Sequence, residues 1–172
     1  AMVGTAEKGF INMDIIIEGK AGHASAPSKN SAVGLASKIV TEIEKHTCKT
    51  EFTKPVKELF NVMGKKKKNP ALRFLFSNLA ITKPLVSLAS KIIGGELFAL
   101  LHTTCAVTMM EGSKAYNVLP SKAKIGLNLR LLGKDTIQSA ENRILKYAKK
   151  VLGKNAKIST KILQGNNPSL VS

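Results

Sequence analysis

Lys122-Ala123-Lys124-Ile125-Gly126-Leu127-Asn128-Leu129-Arg130-Leu131 alternates without a break. In an extended chain Ala123, Ile125, Leu127, Leu129 and Leu131 lie on one side, and Lys122, Lys124, Gly126, Asn128 and Arg130 on the other. A period of two held this long specifies a strand with one buried and one wet face. The same alternation runs through Ile11, Met13, Ile15 and Ile17, through Cys105, Val107 and Met109, and through Ile158, Thr160 and Ile162. Strands that share an apolar face need a second layer to cover it.

Two segments supply that layer. Between Asn30 and His46, Val33, Ala36, Val40 and Ile43 recur at helical spacing, and Leu35 and Ile39 widen the stripe. Pro27 precedes this helix, and Ser28, Asn30 or Ser31 is placed to cap it. Ile137, Ala140, Ile144, Ala148 and Val151 form a second stripe, with Asp135 and Gln138 as a capping box and Gly153 as its stop. Residues of about 50–101 break the pattern. Lys57 to Met63, Ala71 to Leu79 and Leu85 to Ile93 read as short helices separated by Pro70 and Pro84. The order is strand, helix, insertion, strand, strand, helix, strand. It predicts an α+β ferredoxin-like sandwich: a four-stranded antiparallel sheet, two helices on one face, and a helical insertion. The uncovered sheet face carries polar and basic groups, Arg130 among them.

A chain of 172 residues fits one domain, and its 44% hydrophobic content is that of a folded one. Cys48 and Cys105 form neither a disulfide framework nor a metal motif, so a reducing, cytoplasmic setting is expected. The apolar stretch from Ala71 to Leu101 is interrupted at Lys83-Pro84, Lys91 and Gly94-Gly95. It falls short of the roughly 20 residues that span a bilayer, so no membrane partner is expected. The start does not resemble a signal peptide, and both ends read as cut from a longer protein. A net charge of +16 attracts polyanions. The lysines are nonetheless scattered, and the dense run Lys65 to Lys68 beside Asn69-Pro70 reads as a loop tip. With 5% aromatic residues and no Trp there is little for bases to stack on, so nucleic acid is the weaker reading. A free-standing basic ferredoxin-like RNA-binding module remains the alternative.

Chemistry is concentrated in Gly19-Lys20-Ala21-Gly22-His23-Ala24-Ser25-Ala26-Pro27. His23 follows an apolar strand on an exposed turn, where its imidazole can reach beyond its own domain. Nothing accompanies it. The chain has two aspartates, Asp14 and Asp135, no His-x-Asp and no His-Glu-x-x-His, and His23, His46 and His102 are far apart. Zinc needs three or four converging ligands, so no metal site is expected in this chain. There is no Gly-x-Ser-x-Gly elbow, and Ser25 reads as part of the turn. Gly19 to Gly22 also fits the Gly-x-x-Gly loop of an RNA-binding domain, but that loop joins two helices and this one follows a strand. Taken singly, His23 is a surface histidine, Asn117 a turn residue before the extended Val118-Leu119-Pro120, and Arg130 a solvent-face arginine. His46 and His102 read as structural or surface groups.

Together, Glu7-Lys8-Gly9, Gly19 to Pro27, Thr103-Thr104, Asn117 to Ala123 and Asn128 to Leu132 resemble a known pattern. It is that of the lid, or dimerisation, domain of the aminoacylase, carboxypeptidase S and succinyl-diaminopimelate desuccinylase family of zinc metallopeptidases and amidohydrolases. The insertion before Thr103 is most similar to the carboxypeptidase S-like branch. Gly112-Ser113 replaces the usual glycine pair, and His102 stands where relatives often have arginine. The resemblance implies that residues 1–172 are one lid domain excised from a larger enzyme and inactive alone. Two zinc ions are then expected in the absent catalytic domain. The implied partners are that domain, a second copy in a homodimer, and a peptide or N-acyl amino acid substrate cleaved beside its free carboxylate. It also implies that His23 stabilises the oxyanion in the partner subunit's site, and that Asn117 and Arg130 bind the substrate carboxylate. A salt-dependent RNA titration separates the two readings. The lid reading predicts no tight complex, whereas tight binding with a steep salt slope is what the RNA module requires.

Overall fold

A computed structural model describes residues 7–46, 48–152 and 157–169. Strand β1 (Gly9–Glu18) is followed by a short strand β2 (Gly22–His23) and helix α1 (Ala32–Lys45). Four helices come next: α2 (Lys54–Lys66), α3 (Pro70–Ser77), α4 (Leu79–Ile93) and α5 (Gly95–Leu101). The chain then forms β3 (Thr104–Glu111), β4 (Val118–Leu119), β5 (Lys122–Leu131), α6 (Ile137–Leu152) and β6 (Ile158–Asn166). The main sheet has the order β3-β5-β1-β6, antiparallel throughout. This is the ferredoxin-like arrangement expected from the alternation.

At the centre, β1 and β5 pair from Gly9↔Leu131 to Glu18↔Lys122 without a slip. Facing residues in a ladder point to the same side. Ile11, Met13, Ile15 and Ile17 therefore join Ala123, Ile125, Leu127 and Leu129 in one apolar floor, fully buried beneath α1 and α6. Each such Ile or Leu contributes about 1.5–3 kcal/mol over exposure, which makes this floor the main term holding the sandwich together. Above it, α1 buries Ala32, Leu35, Ala36, Ile39 and Ile43, and α6 buries Ala140, Ile144 and Ala148.

Details depart from the sequence pattern for local reasons. Val33 is exposed, because α1 turns Ala32 and Leu35 inward instead. Ser31 is the residue that caps α1, accepting from the Gly34 amide at 3.1 Å. Pro84 does not divide two helices; it lies inside α4. Lys65 and Lys66 belong to the last turn of α2, where cations suit the negative end of the helix. The capping box of α6 is Thr136 with Ser139, each hydroxyl accepting from the other's amide at 2.9 and 3.1 Å. Asp135 is engaged elsewhere. Gly153, the predicted stop, lies outside the described residues. In β3 the register shifts between Val107 and Met109, so Met110, not Met109, faces Ile125 across the ladder.

The insertion helices carry their own core of Val56, Phe60, Leu79, Val86 and Leu101. Buried polar groups hold them in place. His102 is fully buried, with its ring stacked on Phe98 at 4.2 Å between centroids. Its Nδ1 donates to the Phe98 carbonyl at 3.0 Å, so Nε2 accepts from the Thr50 hydroxyl at 2.9 Å. Burial holds the His102 pKa below its ordinary 6.5, ahead of smaller effects from nearby lysines. The unfolded chain therefore takes up a proton near pH 6.5 while the folded one stays neutral. Stability from this group is complete above that pH and is lost as the pH falls toward the folded value. Melting temperatures measured from about pH 7 down to about pH 5 should decline in the wild type. They should decline less steeply in His102→Gln, and equal slopes would contradict a neutral buried imidazole.

Candidate functional site

The pairing of β1 with β5 continues past the end of the sheet. The Gly19 amide donates to the Ser121 carbonyl at 2.9 Å. Beyond it β2 and β4 form a two-stranded ribbon, Gly22 opposite Leu119 and His23 opposite Val118. The Ala24 amide then donates to the Asn117 carbonyl at 2.9 Å, which ties the backbone at Asn117 to the turn after His23 on an exposed projection. The first turn of α1 presses on both approaches to it. A Cβ on Gly19 would lie 2.7 Å from the Ala32 nitrogen, and one on Gly112 would lie 2.6 Å from Val33 Cγ2. Neither glycine has a positive φ, so both are needed for space rather than for backbone freedom.

The ring of His23 is anchored from behind. Its Nδ1 lies 2.8 Å from Ser25 Oγ, and the Ser25 amide donates to the same nitrogen at 3.3 Å. An amide can donate only to a lone pair, so Nδ1 carries no proton in the neutral ring and Nε2 does. The Ala26 amide closes the turn by donating to the His23 carbonyl at 3.0 Å. The Nε2–H group therefore faces outward as a hydrogen-bond donor. Ser25 is part of the turn and also the anchor of the His23 ring, and the signal for this in the sequence is the two-residue spacing from His23.

Arg130 is elsewhere. It sits on the open face of the sheet near the far end of β5, its guanidinium carbon 5.8 Å from the centre of the Phe10 ring. Eight residues separate it from Lys122, about 26 Å at roughly 3.3 Å per residue, and the ribbon lies beyond Lys122. The structure thus brings the backbone of Asn117 beside the segment that carries His23 and leaves Arg130 far from both. Among the described residues Arg130 makes no ion pair. It borders a cavity of about 500 Å³ between the end of the sheet and the insertion. Next to it the Lys8 ammonium donates to the carbonyls of Ala99 and His102, capping the end of α5, and burial lowers its pKa.

The described residues do not fit a zinc site. Among the described residues no three of His, Cys, Asp or Glu converge. Burial pushes the Cys105 thiol up to about 12 and raises that of Cys48, whereas metal binding needs a thiolate. Asp135 is committed to Arg143 through two hydrogen bonds of 2.9 and 3.0 Å and also accepts from Thr103 and Ser139. Its carboxyl is held below the usual range by these bonds, which outweigh its burial. No helix among the described residues is long and apolar enough to cross a membrane.

Residues 5–156 match the family model described as peptidase dimerisation domain. A probable carboxypeptidase S-like 2 of Dictyostelium discoideum is 30% identical over 174 residues, covering 100% of this chain and 32% of that protein. The N-fatty-acyl-amino acid synthase/hydrolase PM20D1 of Bos taurus is 29% identical over 175 residues, with 100% and 33% covered. The chain spans about a third of the length of these curated relatives. The crystal structure of AtUAH in complex with (S)-hydroxyglycine superposes with a TM-score of 0.55 at 17% identity, covering 96% of this chain and 29% of that one. At this identity the likeness concerns the fold.

The tautomer of His23 is open to direct measurement. Nitrogen-15 NMR of the neutral ring should show the proton on Nε2 and a bare Nδ1; a proton on Nδ1 would remove the outward donor.

Proposed function

The chain belongs to the peptidase dimerisation domain family, and from that premise we propose that it serves a carboxypeptidase or amidohydrolase cleaving an amide beside a free carboxylate. Substrates are peptides or N-acyl amino acids, in keeping with the names of the carboxypeptidase S-like and N-fatty-acyl-amino acid relatives. The two zinc ions implied by the family resemblance are assigned to the catalytic portion outside this chain. The free cysteines accord with a cytoplasmic setting.

One observation carries the reading. His23 is held at Nδ1 by Ser25 and presents an exposed Nε2–H that has no partner among the described residues. A rigid, outward donor of this kind suits an oxyanion that forms on another subunit. When the amide carbonyl becomes tetrahedral, its oxygen gains negative charge, and a preplaced N–H stabilises that charge more than it does the ground state. Asn117, beside His23, serves the same pocket. Arg130 offers a planar fork of donors that matches a carboxylate.

The distance along β5 divides these roles between subunits. One small substrate cannot touch His23 and Arg130 of the same chain across about 26 Å. In a homodimer each site therefore takes its histidine and asparagine from one chain and its arginine from the other. Edge strands β3 and β6, or the adjacent helices, are available for the contact between copies.

Two outcomes follow in the full-length enzyme. His23→Ala should lower kcat by about 10²–10³-fold, the scale for loss of one oxyanion donor; unchanged turnover would reduce this domain to a scaffold. Mixed dimers of His23→Ala with Arg130→Ala should regain activity, about a quarter of wild type at equal mixing, because each mixed dimer keeps one intact site. No recovery would mean that one chain supplies both residues to a single site, against the proposed sharing.

A further inference from the structure

Helix α4 buries only one of its two apolar sides. We infer that the other lies on an anionic lipid surface: the helical insertion is a peripheral docking element, with apolar side chains of α4 entering the bilayer interface and basic side chains meeting lipid phosphates.

The inner side of α4 seats the helix. Leu79, Thr82, Val86 and Ser90 are buried, and the Ser87 hydroxyl bonds to that of Thr50. On the outer side Ile81, Leu85, Leu88 and Ile92 recur at steps of four, three and four residues, which makes one continuous stripe along a helix. None of them joins the insertion core. Ile81 and Ile92 are each 75% exposed, and Leu85 and Leu88 are more than half exposed. Phe74 on the preceding helix α3 is 57% exposed, and α3 has no buried residue. A row of large apolar side chains in water forgoes the gain of burial, and it marks a surface that another phase covers.

Charge decides what that phase is. From Leu59 to Gly95 the chain has no Asp or Glu, and it carries Lys65 to Lys68, Arg73, Lys83 and Lys91. All seven are exposed, and among the described residues none makes an ion pair. Lys91 borders the stripe, one residue from Ile92 and three from Leu88. A second copy of this surface would bring like charges together with no carboxylate between them. Nucleic acid offers phosphate but no apolar medium for the stripe. An anionic bilayer offers both: phosphates for the cations, and an acyl boundary that takes up the apolar side of a helix to a depth of about 5–10 Å. Lysine stems are long enough to keep the ammonium at the headgroups while the helix beds in. Lying on a bilayer needs no apolar run of roughly 20 residues, so the breaks at Lys83-Pro84 and Gly94-Gly95, which prevent a crossing, are no obstacle. Cytoplasmic leaflets carry anionic lipid, in keeping with the proposed setting.

The test is sedimentation of the full-length enzyme with phosphatidylcholine vesicles, made with and without phosphatidylserine. The wild type should bind the phosphatidylserine vesicles about tenfold or more tightly than the neutral ones, and added salt should weaken that binding. Leu85→Ser combined with Leu88→Ser should lower affinity for them by about tenfold or more. Lys67→Glu, Lys68→Glu and Lys91→Glu together should erase the preference for phosphatidylserine. These side chains are exposed, so melting temperatures should stay at the wild-type value. Ile92→Ser alone should give a smaller loss of the same sign and stands in should the leucine pair fail to fold. No wild-type binding to either vesicle, or binding that the serine variants leave unaltered, would overturn the docking surface. Retention on heparin without vesicle binding, the behaviour of a plain polyanion site, would do the same. Vesicle binding requires no turnover, so a failed hydrolase reading would leave it standing.

Discussion

The unbroken pairing of β1 with β5 is the constraint on which the remaining geometry rests. A slip of one residue would turn Ile11, Met13, Ile15 and Ile17 out of the core together, so the register has no near competitor. A ladder fixed this firmly behaves as a ruler. It continues through Gly19 and Ser121 into the ribbon that bears His23 and Asn117, and it carries Arg130 near its opposite end. The separation of the two groups is thus a property of the core, and the proposed division of roles between subunits rests on it.

The sandwich was legible because its signals are periodic and local. Alternation in β1 and β5 and the stripe Ala140, Ile144 and Ala148 follow directly from strand and helix geometry. What escaped depends on contacts distant in sequence. The register shift at Val107 exists only relative to β5. Pro84 is tolerated inside α4, whose opposite side packs Leu79 and Val86 into the insertion core, and composition alone placed a break there. The histidine of the site was visible, but its tautomer was not, since that is set by the Ser25 amide and hydroxyl after the turn has formed. Arg130 could be named from the motif, whereas its distance from Asn117 and the cavity beside it required the folded chain.

Buried polar groups give the insertion a defined seat. Its apolar core is distinct from that of the sandwich, and apolar contact alone is permissive of small rotations. His102 with Thr50 and Ser87 ties the end of α5 to the segment after α1 and to α4. Thr103 accepts from the Leu132 amide and donates to Asp135, fastening the start of β3 to the turn before α6. Removing one member of such a set leaves its partners buried and unsatisfied, which costs more than the bond itself contributes. The cavity at Arg130 owes its shape to this fastening, because Ala99 and Leu100 lie on the helix that His102 terminates.

A group that acts in a neighbour's site must satisfy two opposed demands. It has to be exposed in its own subunit, and exposed side chains are ordinarily mobile. The ribbon resolves this by placing His23 on paired backbone, with α1 pressed against Gly19 and Gly112 and with Ser25 behind the ring. In the isolated chain the Nε2–H group faces bulk water, where a single hydrogen bond to a developing anion is worth little. In the proposed dimer, enclosure by a second subunit lowers the local dielectric and excludes the competing water, and the same donor gains its full effect only after assembly. On the proposed reading, pairing of subunits is then part of the chemistry, since the ladder that keeps Arg130 away from His23 leaves neither chain a complete site.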